Sequence, residues 1–217
     1  MDNFLLLKDS DKQAYFEVVA HDLDIMPQLI EKDFWVCWIL KILFSLPSAG
    51  SHLTFKGGTS LSKCYNVIKR FSEDVDVSIE RPFLASRESI EPEKKQSGKE
   101  NQRRLDCLKQ LCQEKISDVI IPELKDKIGA ALSGVGLWKI EMDPSDRDNQ
   151  TILFTFPDII ESGMDNYIQP AVKIELGARS DHWPVEIMPI KPYVSNASGP
   201  VAIEGASVRV LGAERTF

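Results

Sequence analysis

Asp74 and Asp76 stand two residues apart in DVDVSIE, residues 74–80. Side chains two apart on a strand leave the same face. The two carboxylates therefore project together, while Val75, Val77 and Ile79 take the other side. Acids so close repel each other unless a cation sits between them. Carboxylates at this spacing can share hard divalent ions such as Mg²⁺. Two such ions about 3.5–4 Å apart serve phosphoryl and nucleotidyl transfer. The same alternation also describes the solvated outer face of an edge strand.

A second segment alternates as cleanly. In VKIELGA, residues 172–178, Val172, Ile174 and Leu176 share one side, and Lys173, Glu175 and Gly177 the other. If this strand neighbours 74–80, Glu175 joins Asp74 and Asp76 as a third acid. Lys173 would then meet phosphate or pair with an acid. Ahead of both lies FKGGTS, residues 55–60. Gly57 and Gly58 before Thr59 and Ser60 at a helix start offer backbone N–H groups and the positive end of a helix dipole to phosphate. The alternative is a tight strand-to-helix turn capped by the Thr59 or Ser60 hydroxyl. The GxxxxGK[ST] spacing of a P-loop is absent.

The elements that must position these residues follow from periodicity. Helices are predicted over 11–22, with Tyr15, Val18 and Val19 on one side, and from Pro27 to about 46, apolar nearly all round from Phe34. A short strand at 52–55 leads to the glycines. A helix over 59–71 follows, with Leu61, Tyr65 and Ile68 on one face. Residues 86–104 are polar and predict an exposed loop or helix start, and a helix runs over 103–128. Strands are expected at 137–142, 151–156, 171–178, 185–190 and 207–212. The fold class is α+β: a mixed sheet with helices before it and a helical insertion near 86–130.

The chain has 217 residues, 43% of them hydrophobic, and a net charge of −7. That balance predicts a globular protein without the bulk positive charge of a nucleic-acid binder. Cys37, Cys64, Cys107 and Cys112 lack paired metal spacing and read as reduced thiols in a cytoplasmic protein. FWVCWILKILFSL, residues 34–46, is too short to span a bilayer and contains Lys41, so no membrane association is expected. His21, His52 and His182 are scattered, against a histidine-based triad. Lys32 and Asp33 near a helix start read as structural. Arg179 and Asp181 read as a salt bridge, with substrate contact the alternative, and the basic-leaning stretch 93–104 as solvated surface, with RNA phosphate contact the alternative.

Four blocks carry a resemblance: EKDFWVCWIL (31–40), FKGGTSLSKCYNVIKRFSEDVDVSI (55–79), VKIELGARSD (172–181) and LGAERTF (211–217). In this order they resemble the AbiEii/AbiGii nucleotidyltransferase toxins of the DNA polymerase β-like superfamily. The resemblance implies a nucleotidyltransferase core over 51–217 behind an N-terminal helical segment, 1–50. It implies Asp74, Asp76 and Glu175 as catalytic metal ligands for Mg²⁺ or Mn²⁺. Gly57, Gly58, Thr59, Ser60, Lys63, Arg70, Ser72 and Lys173 would bind or brace a nucleoside triphosphate. It further implies a toxin of a toxin–antitoxin or abortive-infection system, with tRNA as one acceptor class and a cognate antitoxin as partner. Members continue past ERTF with a lysine-bearing helix and a helical lobe, and this sequence stops at Phe217. The competing expectations are a nucleotide- or antitoxin-binding module that no longer catalyses, and a kinase-like phosphotransferase using the same acids.

Overall fold

The computed structural model describes residues 1–68, 72–84, 97–160, 169–178, 183–197, 199 and 201–216. Among these, helices α1 (Asp2–Leu5), α2 (Asp9–Leu23) and α3 (Pro27–Phe44) precede strand β1 (Leu53–Lys56), and helix α4 (Gly57–Lys63) precedes β2 (Val75–Ile79). A short helix α5 (Arg81–Leu84) leads to α6 (Gly98–Lys115) and α7 (Ile121–Ala131). Strands β3 (Lys139–Met142), β4 (Thr151–Thr155), β5 (Ala171–Gly177), β6 (Val185–Ile190) and β7 (Ala206–Leu211) complete the order.

The seven strands form one mixed sheet in the order β3-β4-β5-β2-β1-β7-β6. β2 lies between β1, antiparallel to it, and β5, parallel to it. Both neighbours matter for the acids. Lys56 stands opposite Asp76 on β1, Glu175 is its register partner on β5, and Thr151 on β4 stands opposite Glu175. Register partners share a face, so these four side chains form a row across four strands.

The reverse face is apolar. Val75, Val77, Val172 and Ile174 are fully buried there. Helix α3 packs across β5 and β7. Pro27 starts it at a position where the missing N–H costs nothing. Trp35 stacks on Phe156 at 5.4 Å between ring centroids and Trp38 on Phe154 at 5.8 Å. Such pairs add about 0.5–1.5 kcal/mol each beyond the area they bury. Residues of α3 and of the sheet belong to one hydrophobic cluster.

Four local expectations need correction. Val18 does not join Val19 in the core; it is exposed. The helix after the glycines ends at Lys63 rather than running on toward 71. Asn66 adopts a left-handed conformation (φ 53°) and the Val67 N–H reaches back to the Leu61 carbonyl at 2.9 Å. The chain thus turns back on the helix end, so Tyr65 and Ile68 do not extend the Leu61 face as helix residues. Neither Thr59 nor Ser60 caps the helix. It begins at Gly57 behind Lys56, without a side-chain cap. The insertion helix starts earlier than expected, at Gly98, where Ser97 Oγ accepts the Glu100 N–H, and a π-turn over Ile116–Ile120 joins it to α7. Residues 86–96 of the predicted polar stretch lie outside the described residues.

Candidate active site

The predicted alternation positions the acids. Asp76 is half-buried on β2 with Glu175 beside it, and Asp74 sits exposed one residue ahead of the strand. Although the residue is exposed, partial loss of hydration pushes the Asp74 carboxyl up. Glu175 and Glu73 add to that push, while Lys173 and Lys32 oppose it. Asp76 is pushed the same way by burial and by Glu175 and Asp74, against Lys56 and Lys173. Two acids with raised values and like-charged neighbours are short of positive charge. Lys173 supplies part of it: Nζ lies 3.2 Å from Glu175 Oε1 and 3.9 Å from Asp143 Oδ2.

The glycine turn closes over the acids. Gly57 has φ +76°, a conformation that side chains rarely adopt. A Cβ built there would lie 1.9 Å from Asp76 Oδ2. The turn thus needs glycine twice, for its backbone and for the carboxylate against it. A Cβ at Gly58 would meet Ser72 Oγ at 3.4 Å, an ordinary contact. The Thr59 hydroxyl is buried; it lies 2.8 Å from Ser72 Oγ and donates to the Asp74 carbonyl. Ser60 donates to the Gly57 carbonyl at 2.8 Å. The Thr59 hydroxyl therefore stitches the turn to the acidic segment, while Ser60 bonds within the turn.

Lys63 is brought elsewhere. Its ammonium pairs with the buried Asp33 of α3 and lies 3.6 Å from the centre of the Tyr193 ring. Burial pushes the Asp33 carboxyl up, against the Lys63 ammonium and the Tyr193 N–H, which donates to Oδ2 at 2.7 Å. A cavity of about 440 Å³ opens beside Lys63, with Asn66, Lys191, Tyr193 and Asn196 in its lining. None of the three acids lines it. Arg70, Arg179 and Asp181 lie outside the described residues.

Among the described residues, no three His, Cys, Asp or Glu side chains close around a point where a metal ion would sit. Glu175 is drawn to Lys173 instead. The donor set is nevertheless all carboxylate oxygen, which hard divalent cations prefer. Sequence reasoning missed Lys56, Asp143 and Glu73. Lys56 directly precedes the glycines, but its place opposite Asp76 depends on strand pairing that the local pattern does not reveal.

An acid-bearing strand thus pairs in parallel with a second acid-bearing strand, beneath a glycine turn in a mixed sheet. Residues 38–217 match the family described as nucleotidyl transferase AbiEii toxin, type IV TA system. The chain belongs to that family. It is also similar to MenT4, a nucleotidyltransferase toxin from Mycobacterium tuberculosis, at 18% identity and a TM-score of 0.49. That similarity covers 93% of this chain and 56% of the MenT4 chain. No curated protein sequence matches. No described helix is long and apolar enough to cross a membrane.

Proposed function

We propose that this protein is a metal-dependent nucleotidyltransferase, the toxin of a type IV toxin–antitoxin pair, working in the cytoplasm. It transfers a nucleotide from a nucleoside triphosphate to an acceptor, with tRNA the first acceptor class to test and a cognate antitoxin as its partner. One observation carries the reading: Asp76 and Glu175 are register partners on parallel strands, with Asp74 at the entry to the first. Asp74, Asp76 and Glu175 would hold Mg²⁺ or Mn²⁺. Ions bound there would activate an acceptor hydroxyl and neutralise the departing pyrophosphate. Gly57 admits the Asp76 carboxylate under the turn. Thr59 and Ser72 hold the turn to the Asp74 peptide. Lys173 pairs with Glu175 on β5 and would meet the triphosphate. Lys63, paired with Asp33, braces α4 rather than contacting phosphate.

Incubation with α- and γ-labelled triphosphates and a tRNA pool tests the reading. Transfer of the α label, abolished in Asp76→Asn, is the expected result. Transfer of the γ label would instead identify a phosphotransferase. Triphosphate binding without transfer of either label would identify a binding module.

A further inference from the structure

Asp74 and Asp76 are not held alike. Asp76 lies within the ladder, bonded to β1 on one side and β5 on the other. Asp74 lies one residue ahead of β2, outside the ladder. Thr59 holds its carbonyl. The residue on its other side, Glu73, is held by Lys32 of α3, with Lys32 Nζ 2.5 Å from Glu73 Oε2. Lys32 is only 5% exposed, and Glu31 and Asp33 on either side of it are 1% and 0% exposed.

Three consecutive charges buried in one helix are costly, because each loses its hydration. Buried ion pairs seldom stabilise a fold more than apolar packing would. Their geometry gives them another use. Successive helix residues point about 100° apart, so each of the three reaches a different segment. Glu31 accepts the Ile159 and Ile160 N–H groups, both at 3.0 Å. Asp33 takes Lys63 at the end of α4 and the Tyr193 N–H. Lys32 takes Glu73. The helix that lies most deeply in the core thereby grips the glycine-turn helix and the approach to the acidic strand at once. Lys32 is also among the cations acting on Asp74.

We propose that Lys32 is a positioning residue: through Glu73 it fixes the peptide that carries Asp74. The proposal rests on the nucleotidyltransferase reading. The test compares wild type with Lys32→Met and Lys32→Arg by hydrogen exchange over residues 72–80, by Mn²⁺ binding and by single-turnover transfer. Methionine keeps the buried stem without the charge and leaves Glu73, half-exposed, in contact with water. Expected in Lys32→Met are faster exchange over 72–80, weaker Mn²⁺ binding and kcat lowered about ten- to a hundredfold with KM little changed. Arginine should restore most of each. If Lys32→Met does not fold, Glu73→Gln breaks the same link from the exposed side. Exchange over 72–80 identical to wild type, or a loss of activity that only follows the loss of folded protein, would overturn the proposal. If wild type transfers no nucleotide, the nucleotidyltransferase reading fails by itself, and the exchange comparison still decides whether Lys32 holds the Asp74 peptide.

Discussion

The two ends of β2 carry acids in mirror positions, Asp74 one residue before the strand and Glu80 one residue after it. Glu80 is fully partnered. His52 Nδ1 lies 3.0 Å from one carboxylate oxygen and Arg209 2.6 Å from the other, and Phe83 stacks on the His52 ring at 4.6 Å. Burial pushes Glu80 up, but His52 and Arg209 outweigh it and hold the carboxyl below its usual range. At the opposite end, Asp74 and Asp76 are pushed up, with acids as neighbours. One end of the strand has its charges satisfied from within the chain. At the other, acids lie among the nearest charges, as the proposed cation site requires.

The sharpest way to break this contrast is at the glycine turn. Gly57→Ala sets a methyl group where the Asp76 carboxylate lies, on a backbone that disfavours it. Nucleotide transfer should fall by about a hundredfold or more, while circular dichroism shows the sheet retained. A milder result would mean that Asp76 need not lie against the turn. At the satisfied end, Glu80→Gln should cost about 1 kcal/mol of stability in denaturant titration, the scale of a partly exposed charged pair. It should leave the rise in melting temperature on adding Mg²⁺ unchanged. A Mg²⁺ effect that vanished in Glu80→Gln would erase the distinction between the two ends.

Much of this contrast is legible in the sequence, because a period of two is local. Val75 and Val77 against Asp74 and Asp76, and Ile174 against Glu175, divide into faces before any pairing is known. The adjacency of those strands comes from the whole sheet, and so does the position of Lys56 opposite Asp76. Helix α4 ends early because Asn66 turns left-handed and the chain folds back, whereas TSLSKCYNVIKRF keeps helical spacing throughout. Glu31, Lys32 and Asp33 resemble a polar stretch near the start of a helix. Their burial depends on partners 30 to 160 positions away, and no local pattern carries that.

The smallest effect concerns Glu31, which belongs to neither end of β2. Burial pushes its carboxyl up to about 7, against the N–H groups of Ile160 and Ile159. An unfolded glutamate ionises near about 4.3. Between those values the native state binds more protons than the unfolded one, so stability falls as pH rises, and the full cost is present above the native value. Glu31→Gln should therefore flatten the stability difference between about pH 5 and about pH 7.5 in denaturant titrations. A slope equal to that of wild type would show that Glu31 stays ionised in the fold.

The charge deficit at the entry to β2 is tested most directly by Mn²⁺ binding, followed by electron paramagnetic resonance in wild type, Asp76→Asn and Glu175→Gln. Wild type should bind the ion, and each variant should bind it at least about tenfold more weakly, as expected when one carboxylate oxygen donor is lost from a hard-cation site. Equal binding by all three proteins would contradict the assignment of Asp76 and Glu175 to a shared cation site.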